Sequence, residues 1–275
     1  MNLNDITNLP SLSPINVRLV RTTVEDAVQR QLIVVQTQFS YRRAAAVWRP
    51  TRPGQPCPAV LFLHWYEPEA ADSDRGQFEA EAKTLAEAGA ICLTIETLWS
   101  DRDFFIKRTQ EDDFRASIEE ASNIRHFIDL LLSQPGVDAR RLAVVGHDFG
   151  GMYAVLSGNL DRRPAFYVLM AATPRFPDWY LYSPKLEGEA REQYIRQMAP
   201  LDPISHVAGL TPARILFQFG DEDPHVPRPR AEEFFGAASQ PKDCLWYSAG
   251  HGLNAEARQA RIEWLRQMLE LQERK

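Results

Sequence analysis

The sequence predicts an α/β fold, a mainly parallel sheet with helices on both faces. Two patterns carry that expectation. Short, continuously apolar runs alternate with stretches of helical periodicity, and strands that are apolar throughout are those buried on both faces. Turns rich in glycine and carboxylate follow directly on several of these runs, where such sheets bind ligands, outside the carboxyl ends of their strands.

In chain order, Val17–Val24, Leu32–Thr37 and Ala44–Trp48 are β-branched or apolar runs that read as strands joined by hairpins. Thr51–Pro58 has the proline and glycine density of a turn. Ala59–His64 is the next strand, and Gln77–Ala88 sets Phe78, Ala82, Leu85 and Ala86 at helical spacing. Ile91–Ile95 follows as a strand. Phe114–Leu132 then aligns Ile118, Ala121, Ile124, Ile128 and Leu131 on one stripe of a long helix. Leu142–Val145, Phe166–Met170, Ile215–Phe219 and Leu245–Tyr247 read as further strands, and Ala255–Leu271 as a closing helix. No repeat or long linker divides the chain, so residues 1–275 are read as a single domain.

Composition excludes several classes. With 31 Lys plus Arg against 37 Asp plus Glu and no basic run, nucleic acid is not the expected partner. The longest apolar runs, such as Ala59–Leu63, are too short to span a bilayer, so no membrane partner is expected either. Cys57, Cys92 and Cys244 lie far apart without metal or redox spacing, a pattern suited to a reducing compartment. Met1–Pro14 is polar and turn-rich and does not read as an export signal. The expectation is a cytoplasmic enzyme acting on a small molecule.

Three strand ends carry reactive groups. After Leu142–Val145 comes Gly146-His147-Asp148-Phe149-Gly150-Gly151, where glycines permit a sharp strand-to-helix turn with Asp148 at its apex. After Ile215–Phe219 comes the acidic turn Gly220-Asp221-Glu222-Asp223-Pro224-His225-Val226-Pro227. After Leu245–Tyr247 comes Ser248-Ala249-Gly250-His251-Gly252, a histidine between glycines. Nucleophile, acid and histidine stand in the chain order of nucleophile-elbow enzymes. Taken singly, each has a plainer reading: Asp148 as a helix cap, Asp223 as a turn former, His251 as a surface loop histidine.

On these residues the chain resembles the α/β-hydrolases from about Val17 to its last helix. Leu61-Phe62-Leu63-His64 resembles their oxyanion strand, with Trp65 where glycine usually follows. Pro200-Leu201-Asp202-Pro203-Ile204 and Asp223-Pro224-His225-Val226-Pro227 resemble the dienelactone hydrolase branch. The Gly146–Gly151 turn resembles the elbow of epoxide hydrolases, whose nucleophile is aspartate. The resemblance implies a mainly parallel eight-stranded sheet, a short lid at about 174–212 with a helix near Glu189–Met198, and no cofactor or metal. It also implies Asp148 as nucleophile, Asp223 as acid (with Asp221 as its rival), His251 as base, and the backbone N–H groups of Tyr66 and Phe149 as oxyanion donors.

Aspartate changes the chemistry. A serine must lose a proton to attack, whereas a carboxylate is ordinarily ionised at neutral pH. It displaces a leaving group at a saturated carbon to give an alkyl ester, while attack on an ester carbonyl gives a far less favourable anhydride. The sequence therefore favours a small epoxide or alkyl halide as substrate, with Tyr180 or Tyr182 as a proton donor to an opened epoxide. The alternatives are a carboxylic ester or lactone hydrolase of dienelactone hydrolase type, and a catalytically silent ligand-binding protein. His64 is expected to orient the oxyanion loop and His147 to pack or line the pocket. His126, His206 and His225 are not expected to bind metal, and Trp179, Tyr180 and Tyr182 read as lid packing. Asp101–Asp103 and Glu111–Asp113 read as a solvated face.

Overall fold

The computed structural model describes residues 15–39, 41–52, 56–101 and 103–271. The polar segment 1–14, the centre of the turn at 51–58 and Arg102 lie outside the described residues. In chain order the strands are β1 (Asn16–Glu25), β2 (Val28–Gln36), β3 (Arg42–Pro50), β4 (Cys57–Leu63), β5 (Ile91–Ile95), β6 (Val137–His147), β7 (Phe166–Met170), β8 (Arg214–Gly220) and β9 (Lys242–Tyr247). The helices are α1 (Glu79–Glu87), α2 (Phe104–Lys107), α3 (Gln110–Leu132), α4 (Phe149–Leu160), α5 (Pro177–Tyr180), α6 (Gly188–Met198), α7 (Arg228–Ala237) and α8 (Ala255–Met268).

All nine strands join one sheet in the order β1-β2-β3-β5-β4-β6-β7-β8-β9. That is one strand more than the eight expected, because all three N-terminal runs pair. β1 and β2 form a tight hairpin with Glu25 opposite Val28, and β3 runs antiparallel to β5. From β5 to β9 every pairing is parallel.

Burial follows from that arrangement. β4 and β5 are buried at every residue, so each side of the sheet needs its own apolar cover. On one side Ile124, Phe127 and Ile128 of α3 and Tyr153 of α4 pack on Leu61, Leu93 and Val144. On the other, Phe78, Leu85 and Leu265 pack on Val60, Phe62 and Val145. At ~25 cal/mol per Å2 of apolar surface removed from water, two such layers supply the main drive for folding. Among the described residues no helix is long and apolar enough to cross a membrane.

Two elements differ from the sequence reading. The stretch around Phe104–Ile106 reads as loop but forms α2, which turns Phe104 onto the ring of Phe149. α7 has no counterpart in the sequence reading, because Arg228-Pro229-Arg230-Ala231-Glu232-Glu233 hides a short stripe in which only Ala231 and Phe234 are buried. The segment expected to form the lid contains α5 and α6 followed by three short 3-10 turns.

Strand register sets the reactive ends side by side. The β4–β6 pairing places Leu63 opposite Gly146, so the turns carrying Tyr66 and Asp148 emerge together. The β8–β9 pairing places Gly220 opposite Tyr247, and so delivers Asp223 and His251 to one edge. The elbow needs its glycines for close approach rather than for positive φ. A Cβ at Gly150 would lie 2.1 Å from the carbonyl oxygen of Leu63, and one at Gly146 would lie 2.3 Å from that of Gly150. Neither backbone contact can yield without moving a strand.

Gly150→Ala is therefore expected to destabilise by about 3 kcal/mol or more, or to prevent folding. Gly236→Ala, in α7 with no atom within 4 Å of the added carbon, should instead gain roughly 0.5–1 kcal/mol. Urea melts of the two variants check the contrast, and equal stabilities would contradict the packing described.

Candidate active site

Asp148 sits at the bend between β6 and α4 with φ 54° and ψ −118°. An L residue adopts such a backbone only at a cost of about 1–3 kcal/mol, and the surrounding packing must hold it there. The side chain makes no capping hydrogen bond to α4, so the helix-cap reading does not describe it. It is 1% exposed. Oδ2 accepts from the Tyr66 N–H at 3.3 Å, and the nearby Phe149 N–H, at the first residue of α4, favours the charged form of the carboxylate. The Tyr66 N–H, expected to hold an oxyanion, thus holds an oxygen of Asp148 itself. Oδ1 has no hydrogen-bond partner among the described residues.

Facing Oδ1 at 3.9 Å is Nε2 of His251, which likewise has no hydrogen-bond partner among the described residues. The other ring nitrogen of His251, Nδ1, bonds Asp223 Oδ2 at 2.8 Å. Asp223 Oδ1 accepts from the N–H groups of His225 and Val226 at 2.8 and 3.1 Å. Asp221 instead pairs outward with Arg228, so Asp223 is the carboxylate that reaches the imidazole.

Electrostatics differ from the expectation that Asp148 is fully ionised at neutral pH. Burial raises its pKa to about 7, opposed by the charge of His251 and the two backbone donors. For His251, burial disfavours the charge, but the Asp223 hydrogen bond and the Asp148 and Asp223 charges outweigh it, and the net shift is upward. Burial also works against Asp223, whose pKa is nonetheless lowered by the His251 hydrogen bond and charge and by its two backbone donors.

The loops are tied by neutral imidazoles. His64 is buried, and burial lowers its pKa to about 4. Its Nδ1 donates to the Trp65 carbonyl at 2.6 Å, while Nε2 meets the Ser100 hydroxyl at 2.6 Å. It orients the loop, as expected. His147 is buried with a pKa lowered by burial and the His251 charge. Its Nε2 donates to the His251 carbonyl at 2.9 Å and its Nδ1 accepts from Gln77 Nε2 at 2.6 Å. Gln77 Oε1 in turn accepts from the Trp65 N–H at 3.1 Å. Gln77 thus bridges the loop after β4 to the loop after β9, a role the sequence analysis missed; as one polar residue at a predicted helix start it carried no signal. The Trp65 indole stacks on His147 with centroids 4.8 Å apart and leaves the Tyr66 N–H free to reach Asp148.

Beside His251 lies a cavity of about 620 Å3, walled by Tyr66, Phe105, Trp179, Tyr182 and His225 among others. Tyr182, half exposed, faces His225 with its hydroxyl 3.3 Å from Nδ1. Tyr180 is buried and bonds the Tyr153 hydroxyl at 2.8 Å, so it belongs to the core and not to the cavity. His206 donates to the Pro200 carbonyl. Among the described residues no group of His, Cys, Asp and Glu has the geometry of a metal site.

The raised pKa of Asp148 has a stability consequence. A carboxyl whose folded pKa lies above its unfolded value costs nothing below the unfolded pKa, and the cost grows as pH rises to the folded one. Asp148→Asn removes the charge while keeping an acceptor for Tyr66, and asparagine tolerates positive φ. The variant should be more stable than the native chain by on the order of 4 kcal/mol at pH 8. The gain should fall below about 1 kcal/mol near pH 4. Thermal melts across that range check it; a gain independent of pH would contradict the assignment.

Comparisons now bear on family. A model of the prolyl oligopeptidase family matches residues 114–274. No curated protein matches. The acetyl xylan esterase from Paenibacillus sp. R4 is similar in structure with a TM-score of 0.79 at 18% identity, covering 96% of this chain and 91% of that one. Acetyl xylan esterase 1 from Thermoanaerobacterium sp. JW/SL YS485 gives 0.75 at 16%, covering 98% and 92%. A provisionally named dienelactone hydrolase from Klebsiella pneumoniae subsp. pneumoniae MGH 78578 gives 0.65 at 15%, covering 90% and 100%. Such identities speak for the fold, and the family match extends over more than half of the chain. The chain belongs to the prolyl oligopeptidase family and is an α/β-hydrolase.

Proposed function

We propose that the chain hydrolyses a small molecule through an ester formed on Asp148, with His251 as base and Asp223 as the partner that orients it. One observation carries this reading: Oδ2 of Asp148 accepts from the Tyr66 N–H, while Oδ1 has no hydrogen-bond partner among the described residues and faces His251 Nε2. An enzyme with a hydroxyl nucleophile keeps such a donor for the substrate's carbonyl oxygen. Here it serves an oxygen of the protein.

The chemistry follows from that division. Oδ1 attacks a carbon, the bond from that carbon to its leaving group breaks, and Asp148 becomes an ester whose carbonyl oxygen is Oδ2. Water then gives a proton to His251 Nε2 and adds to Cγ of Asp148. Negative charge grows on Oδ2, where the Tyr66 N–H already points, a placement worth ~3–4 kcal/mol. The bond from Cγ to Oδ1 then breaks and the proton on His251 passes to the departing alcohol. The water oxygen stays on Asp148 and Oδ1 leaves with the product. Attack at a saturated carbon fits an epoxide or alkyl halide, and Tyr182, which lines the cavity, is the proton donor this reading assigns to an opened epoxide.

A second reading, hydrolysis of a carboxylic ester or lactone, is the one the comparisons favour. Two of the fold relatives named above are esterases, and a third is provisionally a dienelactone hydrolase; together they back this bond type ahead of an epoxide or halide. On this reading Asp148, with a pKa near that of a general base, deprotonates a water that attacks the carbonyl.

His251→Gln separates the two. Intact mass spectrometry after incubation with a panel of epoxides, alkyl halides and esters should show substrate mass added to the peptide holding Asp148, with turnover reduced at least ~100-fold. Ester turnover in the native chain, with no adduct in the variant, selects the second reading. Absence of both turnover and adduct across the panel overturns the two and leaves a ligand-binding protein.

A further inference from the structure

The cavity beside His251 is walled mainly by aromatic rings and acids. Tyr66, Phe105, Trp179 and Tyr182 present rings, and Glu67 and Glu69 add two carboxylates. The rings form a near-continuous enclosure: Tyr66 and Phe105 are 5.0 Å apart between centroids, Trp179 and Tyr182 5.4 Å, and Trp179 and His251 5.3 Å. Among the described residues, no lysine or arginine lines this cavity. The Arg108 guanidinium stands over Phe105 at 5.2 Å but is buried and paired with Asp113 at 2.6 Å. Directly past Tyr182 the next groove carries Arg175, Lys185, Arg191 and Arg230 beside Asp178 and Glu187. Lysine and arginine thus line the neighbouring groove and not the reacting cavity, where the basic group His251 is already bonded to Asp223.

Aromatic faces carry partial negative charge and attract cations. Glu67 lies directly after Tyr66 and lines the same cavity as His251. The unpartnered Oδ1 of buried Asp148 marks where the bond would be broken. A carboxylate-bearing molecule entering here meets Glu67 and Glu69 with no lysine or arginine to balance them. A cation meets two carboxylates and the aromatic rings.

We infer that the site takes a substrate whose apolar body carries a positive charge, a quaternary or protonated amine, seated between the aromatic rings and Glu67 and Glu69. The inference rests on reading Asp148 and His251 as the reacting pair and extends that reading to the charge of the substrate. Molecules bearing a carboxylate are rejected.

Unreactive probes test this without turnover. Phenyltrimethylammonium, its uncharged isostere tert-butylbenzene and benzoate are titrated into the native chain, with quenching of tryptophan fluorescence as the readout. The cation should bind about tenfold tighter than the isostere, and benzoate should not compete. Glu67→Gln combined with Glu69→Gln should abolish the preference while leaving the isostere's affinity unchanged, and Trp179→Ala should weaken the cation. Equal or tighter binding of tert-butylbenzene overturns the inference, and so does a cation preference that survives all three substitutions. An adduct in His251→Gln without any cation preference would sink this inference alone. A cation preference without any adduct or ester turnover would sink the proposed reaction and leave the binding site standing.

Discussion

The arrangement depends on one buried carboxylate held against its own preference to be in water. Asp148 is removed from solvent, bent to φ 54°, and carries a pKa raised to about 7. Burial and the bent backbone each cost free energy, and the structure offsets them with specific contacts. Strand register brings the Tyr66 N–H to Oδ2. The absence of side chains at Gly146 and Gly150 lets α4 press against the end of β4. Strain and desolvation gathered at one residue are what a functional site shows when its neighbours over-determine it.

Around that carboxylate the protein uses histidines that do not titrate in the physiological range. His64 and His147 are both driven neutral by burial, and each then has one nitrogen that donates and one that accepts. His64 fixes the loop after β4, His147 fixes the carbonyl of His251, and Gln77 joins the two loops. Trp65, in the place of the glycine that the resemblance suggests, stacks across both His147 and His251. A larger residue at that position thus braces the loops and leaves the backbone donors uncovered.

Much of this was legible in the sequence because strand ends can be read from apolar runs. Asp148, Asp223 and His251 each follow such a run directly, and pairing of those runs brings them together. The choice of Asp223 over Asp221 came from the resemblance; in the structure Asp223 bonds His251 and Asp221 pairs with Arg228. Other features were not legible, for physical reasons. The contribution of Gln77 depends on two contacts separated by 12 and 70 residues, which no local pattern reveals. Tyr180 and Tyr182 are two residues apart on a short helical turn and its exit, so their opposite fates depend on which face packs inward. The raised pKa of Asp148 arises from burial, and the sequence gives residue type without environment. α7 was missed because a stripe of two apolar residues falls below what periodicity detects.

The cavity and the elbow act together: a carboxylate that bonds, a backbone donor that already holds its second oxygen, and walls that select by charge. The central claim is that bond formation at Asp148 is followed by hydrolysis at its own Cγ. The most direct measurement is repeated turnover of the native chain in water enriched with heavy oxygen, followed by mass spectrometry of the peptide that contains Asp148. The account predicts that this peptide gains heavy oxygen while the product of a single turnover does not. Heavy oxygen found in the first-turnover product, with the Asp148 peptide unlabelled, would contradict it.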